Sequence, residues 1–222
     1  MTSAATDFEI ARHNMVEQQI RPWNVLDQRV LDKIHGLARD RFVPKRFRPI
    51  AYADTQINIG HSQIMMTPKE EARMLQALAI KPTDTALEIG TGTGYCTALL
   101  ASLAEKVYSV DIIEEFVEKA SKITEELGLT NIEFEEGDAA NGWPHYKPYD
   151  VIAITGSYYQ LPEQYLAHLK VGGRLFCVTG TEPAMKAQLV TRLGEDEWHY
   201  ESLYETVIPS LINSKPKPQF DF

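Results

Sequence analysis

Two cysteines in 222 residues are too few for a disulfide framework. Cys96 falls in the first turn of an expected helix and Cys177 inside an apolar run, so both read as small buried hydrophobes. The six histidines are scattered, with no spacing that gathers ligands, and no metal site is expected. No apolar run reaches the roughly 18 residues that span a bilayer, and residues 1–10 carry no apolar signal core. Cations are scarce as well, 22 Lys and Arg against 31 Asp and Glu, which leaves a net charge of −9. An enzyme of nucleic acids needs a patch of phosphate-neutralising cations; the longest basic cluster, Lys45-Arg46-Phe47-Arg48, is short and reads as a solvated loop. The expectation is a cytoplasmic protein of one domain, with a sizeable core and no business with nucleic acid or membrane.

What the chain does have is concentrated in residues 86–95, where the apolar run Ala86-Leu87-Glu88-Ile89 enters Gly90-Thr91-Gly92-Thr93-Gly94-Tyr95. Glycines permit a tight turn and close approach of backbone to a ligand. A dinucleotide fingerprint requires G-x-G-x-x-G, but here the third glycine comes one residue early and Tyr95 takes its place. Glu88, two residues ahead of the first glycine, would repel a pyrophosphate and welcome a ligand carrying ammonium and hydroxyl groups. Asp111 closes the next apolar run, 107–110, twenty-one positions after Gly90, where an acid accepts hydrogen bonds from a ribose diol. Asp138 follows a third run, 132–135, and is placed to meet an adenine amino group. Acids at 88, 111 and 138, each ending an expected strand, point to S-adenosylmethionine; the alternative is ordinary strand-end turns on a solvated face.

From Thr85 onward strands and helices alternate, the pattern of a doubly wound, mostly parallel α/β sheet. Strands are expected at 86–89, 107–110, 132–135, 149–154 and 174–179, with helices at 97–104, 114–127 and about 162–169. Residues 187–193 and 198–208 flank the polar turn 194–197 as an antiparallel hairpin closing the sheet. Ahead of this unit, residues 8–20 and 27–38 read as helices, the second capped by Asp27. Residues 42–68 read as mostly loop, long for a compact protein and placed to cover the crevice beyond the strand ends. The chain is thereby divided into a covering segment, 1–68, and a Rossmann-like unit, 69–222, whose tail from Pro209 is expected to be extended.

Over nearly its whole length the chain resembles the protein-L-isoaspartate O-methyltransferase family. The likeness rests on Met15-Val16-Glu17-Gln18-Gln19-Ile20, Asp27-x-Arg29-Val30-Leu31, Arg41-Phe42-Val43-Pro44, Ala51-Tyr52-x-Asp54, Ile59-Gly60, the glycine loop, Gly137-Asp138, Gly142-Trp143-Pro144, Pro148-Tyr149-Asp150 and Gly172-Gly173-Arg174-Leu175. The resemblance implies a Rossmann-like class I methyltransferase that uses S-adenosyl-L-methionine, releases S-adenosyl-L-homocysteine, and esterifies isoaspartyl carboxylates of damaged proteins or peptides as the first step of repair. It implies a cofactor site containing Glu88, Gly90, Thr91, Gly92, Gly94 and Tyr95, together with Asp111 and Ile112, Gly137, Asp138 and Ala139, and Thr155. Gln63, Ile64 and Met65 of the preceding loop join them. Monomer and homodimer remain equally open.

One stretch departs from the family. Its loop G-x-G-Q-T-I-S-x-P supplies a Ser that holds the acceptor carboxylate, whereas this chain reads Gly60-His61-Ser62-Gln63-Ile64-Met65-Met66-Thr67-Pro68, with Met66 at the Ser position and Ile64 at the Thr. The expected acceptor residues are therefore His61, Ser62, Met66 and Thr67. His61 is a base for a hydroxyl acceptor, a donor to a carboxylate, or a loop histidine bonded to backbone. Ser62 and Thr67 are acceptor contacts or a turn and a helix cap, Thr67 standing before Pro68. Met65 and Met66 are pocket packing or specificity elements, and Asp54 is structural. Methyl transfer is an in-line displacement, and a carboxylate of pKa about 4 is ionised at pH 7 without a base. The Asn/Asp-Pro-Pro-Tyr/Phe motif of amino methylases is missing at 154–157. The competing expectations are another acceptor on the same fold, or a cofactor-binding module that transfers nothing.

Overall fold

Three apolar segments end side by side at the centre of a seven-stranded sheet, and each delivers its next residues to the same edge. The computed structural model describes residues 3–214, with side chains from Asp7 onward. In chain order the elements are α1 (Ser3–Met15), α2 (Gln28–Gly36), β1 (Ile57–Gly60), β2 (Gln63–Met65), α3 (Pro68–Leu78), β3 (Thr85–Ile89), α4 (Tyr95–Ala101), β4 (Lys106–Asp111), α5 (Glu114–Glu126), β5 (Ile132–Glu136), β6 (Tyr149–Tyr158), β7 (Leu169–Thr181), β8 (Ala184–Arg192) and β9 (Trp198–Thr206). The sheet order is β5-β4-β3-β6-β7-β8-β9. Strands β3 to β7 run parallel; β8 is antiparallel to both neighbours, which gives the expected C-terminal hairpin. The order reverses between β3 and β6, so the crevice beyond their carboxyl ends is the place such a sheet offers a ligand.

The sheet is covered unequally. One face packs against the N-terminal segment, α3 and α4 in a single core that joins Met15, Ile20, Leu31 and Tyr52 to Leu75, Leu99, Val107 and Phe176. The other face holds a smaller core of Tyr149, Tyr158, Tyr165 and Trp143 with Leu87, Ile152 and Leu175. The helix expected at 162–169 is a 3-10 segment, Glu163–His168. It begins after Pro162, whose carbonyl accepts from Tyr165 N–H at 3.0 Å, and runs too few residues to establish α-type bonding.

Two further expectations are corrected in front of the sheet. The helix of residues 8–20 changes pitch after Met15 into a π-type turn, Val16–Ile20, then a 3-10 turn through Pro22 that ends on the left-handed Asn24. The stretch 42–68 is not all loop: β1 and β2 pair antiparallel, and His61 and Ser62 alone connect Gly60 to Gln63. Both have positive φ, 51° and 58°, as a tight hairpin turn demands. Asp27 does cap α2, accepting from Arg29 N–H at 2.9 Å. Thr67 and Glu70 form a reciprocal capping box at the start of α3, with Pro68 in the first turn. The tail's first residues return to the sheet: Ser210 bridges Ser157, and Leu211 N–H donates to the Ser157 carbonyl. The remainder of the expected extended tail, from 215 on, lies outside the described residues. No helix among the described residues is long and apolar enough to cross a membrane.

Candidate active site

At the β3/β6 switch point a cleft of about 570 Å³ opens between the glycine loop, the ends of β4 and β6, the β1–β2 hairpin and the returning tail. Among the expected cofactor residues, Gln63, Ile64, Gly90, Gly92, Asp111, Ile112, Gly137, Asp138, Ala139 and Thr155 line it. A second hollow of about 320 Å³ adjoins it across Gly90 and Gly92 and is lined by Met65, Met66, Glu71, Thr91, Cys96 and Thr155.

The loop geometry follows from its neighbours. Gly90 has φ +96°, and a Cβ there would lie 2.5 Å from Thr155 Oγ1. Gly94, at φ +80°, faces Ala120 of α5, 2.6 Å from where its Cβ would be, so this third glycine serves helix packing and borders neither cavity. Gly137 lies under the Trp143 ring, which a Cβ would meet at 2.5 Å.

Asp111 is the best-oriented acid of the cleft. Gly92 N–H donates to its Oδ2 at 2.9 Å and Ile113 N–H to its Oδ1 at 3.0 Å, which ties the glycine loop to the start of α5. Burial raises its pKa, and these backbone donors oppose the rise. A carboxylate has about four acceptor sites, so two remain for a ligand. Asp138 is exposed, with Oδ1 taking Ala140 N–H at 2.9 Å and Oδ2 taking Asn213 Nδ2 at 2.8 Å.

Several expected contacts are not brought to the cleft. Glu88 borders neither cavity: fully buried beneath the loop, its Oε2 accepts from Thr97 and, at 2.6 Å, from Ser109 on β4. Side chains alternate along a strand, so Glu88 points to the α4 face while its neighbour Ile89 lines the cleft. Burial pushes its pKa up to about 7. Tyr95 is buried against Arg39 and Phe42, also away from both hollows.

The four acceptor residues divide likewise. Met66 is buried and borders the second hollow. His61 and Ser62 sit at the exposed hairpin tip, outside both cavities; His61 Nε2 meets Glu115 Oε2 at 2.8 Å and its ring stands edge-on to Phe116. Thr67 spends its hydroxyl on Glu70, at 2.8 Å, within the helix cap. None of these three places a reactive atom in the cleft. The residues that sequence reasoning missed include Ile59 and Phe116, which wall the cleft, Leu211 and Ile212 of the tail, and Glu71. Glu71 follows Lys69-Glu70 at a helix start and looks like a solvated first turn; nothing in that pattern discloses its burial.

A family model described as Protein-L-isoaspartate(D-aspartate) O-methyltransferase matches residues 11–213. The chain is 34% identical to protein-L-isoaspartate O-methyltransferase 1 of Rhodopseudomonas palustris, over 98% of this chain and 91% of that one. It is 39% identical to the Gloeobacter violaceus protein-L-isoaspartate O-methyltransferase over 76% and 82% of the two. Among solved structures, a Plasmodium falciparum protein described as a methyltransferase of this kind, in complex with S-adenosyl-L-homocysteine, superposes with a TM-score of 0.77 at 18% identity, covering 90% of this chain and 97% of that one. With near-complete coverage at this identity, and with the glycine loop and Asp111 arranged as described, the chain belongs to the protein-L-isoaspartate(D-aspartate) O-methyltransferase family.

Proposed function

We propose that the chain is an S-adenosyl-L-methionine-dependent methyltransferase that esterifies the free carboxylate of isoaspartyl residues in proteins or peptides of the cytoplasm. The observation that carries the cofactor reading is Asp111, fixed by two backbone N–H groups in the cleft at the switch point with lone pairs to spare. Asp111 would accept from the ribose hydroxyls, Asp138 and the Ala139 backbone would meet the adenine, and Ile112, Ile59 and Phe116 would enclose the nucleoside. When bound, the cofactor supplies a methyl group on a cationic sulfur.

The residues around the second hollow would exclude water and orient the acceptor. Met65, Met66 and Ile64 make an apolar wall. An ionised carboxylate needs no base, and among the described residues lining the two cavities none is a histidine or lysine. The test is incubation of the protein with methyl-labelled cofactor and an isoaspartyl peptide, followed by alkali. Volatile methanol is expected, and its absence with that peptide overturns the acceptor assignment.

Met66 favours a second reading, a different acceptor on the same fold. Its buried thioether stands in the wall of the hollow where the family places a carboxylate-binding hydroxyl, and among the described residues no cationic side chain lines either cavity. Turnover of a neutral hydroxyl or amine acceptor, with none of the isoaspartyl peptide, would establish it. Met66→Ser separates the two: on the leading reading it lowers KM for the isoaspartyl peptide, and on the second it changes nothing there.

A further inference from the structure

By sequence Glu88 is placed to welcome a ligand carrying ammonium and hydroxyl groups, but it is sealed beneath the glycine loop. A different carboxylate reaches the hollow. We infer that Glu71 is the counter-ion of the cofactor's α-ammonium group, an inference that rests on the cofactor reading above and extends it to a residue of α3.

Glu71 is the one charged side chain among the described residues lining the second hollow, and it is 98% buried. Arg39, fully buried, donates to its Oε2; among the described residues no group donates to its Oε1. Arg39 also donates through Nη2 to the Met66 carbonyl at 2.6 Å, so the pair is anchored to the wall of the same hollow. One oxygen of the carboxylate is thus committed to Arg39, and the side chain borders the cavity.

The local charge is unbalanced. The carboxyl groups of Glu70 and Glu88 are buried near that of Glu71, and one guanidinium, Arg39, is paired with it. Buried charge is tolerated where it is paired, and this cluster sets three carboxyl groups against one guanidinium. A cation entering the hollow would relieve that excess. The route of the ligand supplies one. With adenine at Asp138 and ribose at Asp111, the two cavities communicate past Gly90 and Gly92, and the end remote from Asp138 is bordered by Glu71. The amino-acid end of S-adenosylmethionine carries its ammonium to that end.

The test is a calorimetric cycle on the full chain with two probes: S-adenosyl-L-homocysteine, and its deamino analogue in which hydrogen replaces the α-amino group. For the wild type, deamination is expected to weaken binding roughly ten- to hundred-fold, the worth of one charge-assisted contact. For Glu71→Gln, S-adenosyl-L-homocysteine is expected to bind as weakly as the deamino analogue does, with the analogue itself unaffected. An equal penalty for deamination in both proteins, or none in the wild type, overturns the role of Glu71. The wild-type measurement alone can do so if the variant, left with an unpaired Arg39, does not fold. Failure of S-adenosyl-L-homocysteine itself to bind the wild type condemns the cofactor reading, whereas good binding of both probes without discrimination condemns only the Glu71 assignment.

Discussion

The hydroxyl of Thr155, on β6, donates to the Gly90 carbonyl at 2.6 Å and to the Ile89 carbonyl at 3.0 Å, and so clasps the glycine loop to the strand across the switch point. That clasp occupies the space a side chain at position 90 would need. Gly90→Ala is therefore expected to destabilise twice over, by forcing φ +96° on an L-residue and by displacing Thr155. Each contribution is on the order of 1–3 kcal/mol. In Gly90→Ala/Thr155→Ala only the steric part should be recovered. Urea unfolding of both variants checks this; full recovery in the double variant would show that φ at Gly90 carries no cost.

Asp111→Asn keeps the shape of the side chain but opposes an amide N–H₂ to one of the two backbone donors, Gly92 N–H or Ile113 N–H. The loop loses a charge-assisted acceptor and the ribose loses its anionic partner. Cofactor affinity is expected to fall by roughly 1.5–3 kcal/mol for each such bond lost. Calorimetric titration with S-adenosyl-L-homocysteine measures it, and an unchanged affinity removes Asp111 from the site.

How much of this was legible depended on whether local or distant contacts set the outcome. The sheet strands were readable because β3, β4 and β6 are apolar runs ending in turn residues, and the cap of α3 because Thr67-Pro68-x-Glu70 contains its own hydrogen-bond partners. Asp111 and Asp138 were readable because the fold brings strand ends to one edge. Glu88 was misjudged through strand parity: spacing from the glycine loop says how near it lies, and not which sheet face it takes. The β1–β2 hairpin was hidden because its two-residue turn is His61-Ser62, lacking the Asn or Gly that positive φ favours. Glu71 was hidden because only Arg39, thirty-two residues away, accounts for its burial.

The same turn yields a prediction. His61 and Ser62 hold φ of 51° and 58° at the exposed tip, outside both cavities. Replacing them by Asn-Gly removes most of that strain, and His61→Asn/Ser62→Gly is expected to stabilise the protein by about 1 kcal/mol, less the loss of the exposed His61–Glu115 contact. Because neither side chain enters the cleft, affinity for S-adenosyl-L-homocysteine should stay unchanged. Thermal unfolding and titration together check it; a weakened affinity would show that the tip acts on the ligand after all.

Glu88 makes stability depend on pH in a direction that can be worked out. Burial lifts its pKa from 4.5 to about 7, although Ser109 and Thr97 donate to it and pull the other way. Between those two values the folded protein keeps a proton on Glu88 that the unfolded chain has released. The native state then binds more protons, so stability falls as pH rises through this window and levels off above about 7. Burial pushes Glu71 upward as well, but there the paired Arg39 guanidinium pulls toward the ionised form. Glu88→Gln stays neutral throughout and its carbonyl oxygen can still accept from Ser109 and Thr97. Urea unfolding at pH 5, 7 and 8.5 (roughly the range that spans such a titration) should show the wild type losing stability toward alkaline pH and the variant losing less. Parallel declines in the two proteins would mean that Glu88 is ionised in the folded state at the lowest pH tested, and that the space beneath the glycine loop is wetter than its enclosure indicates.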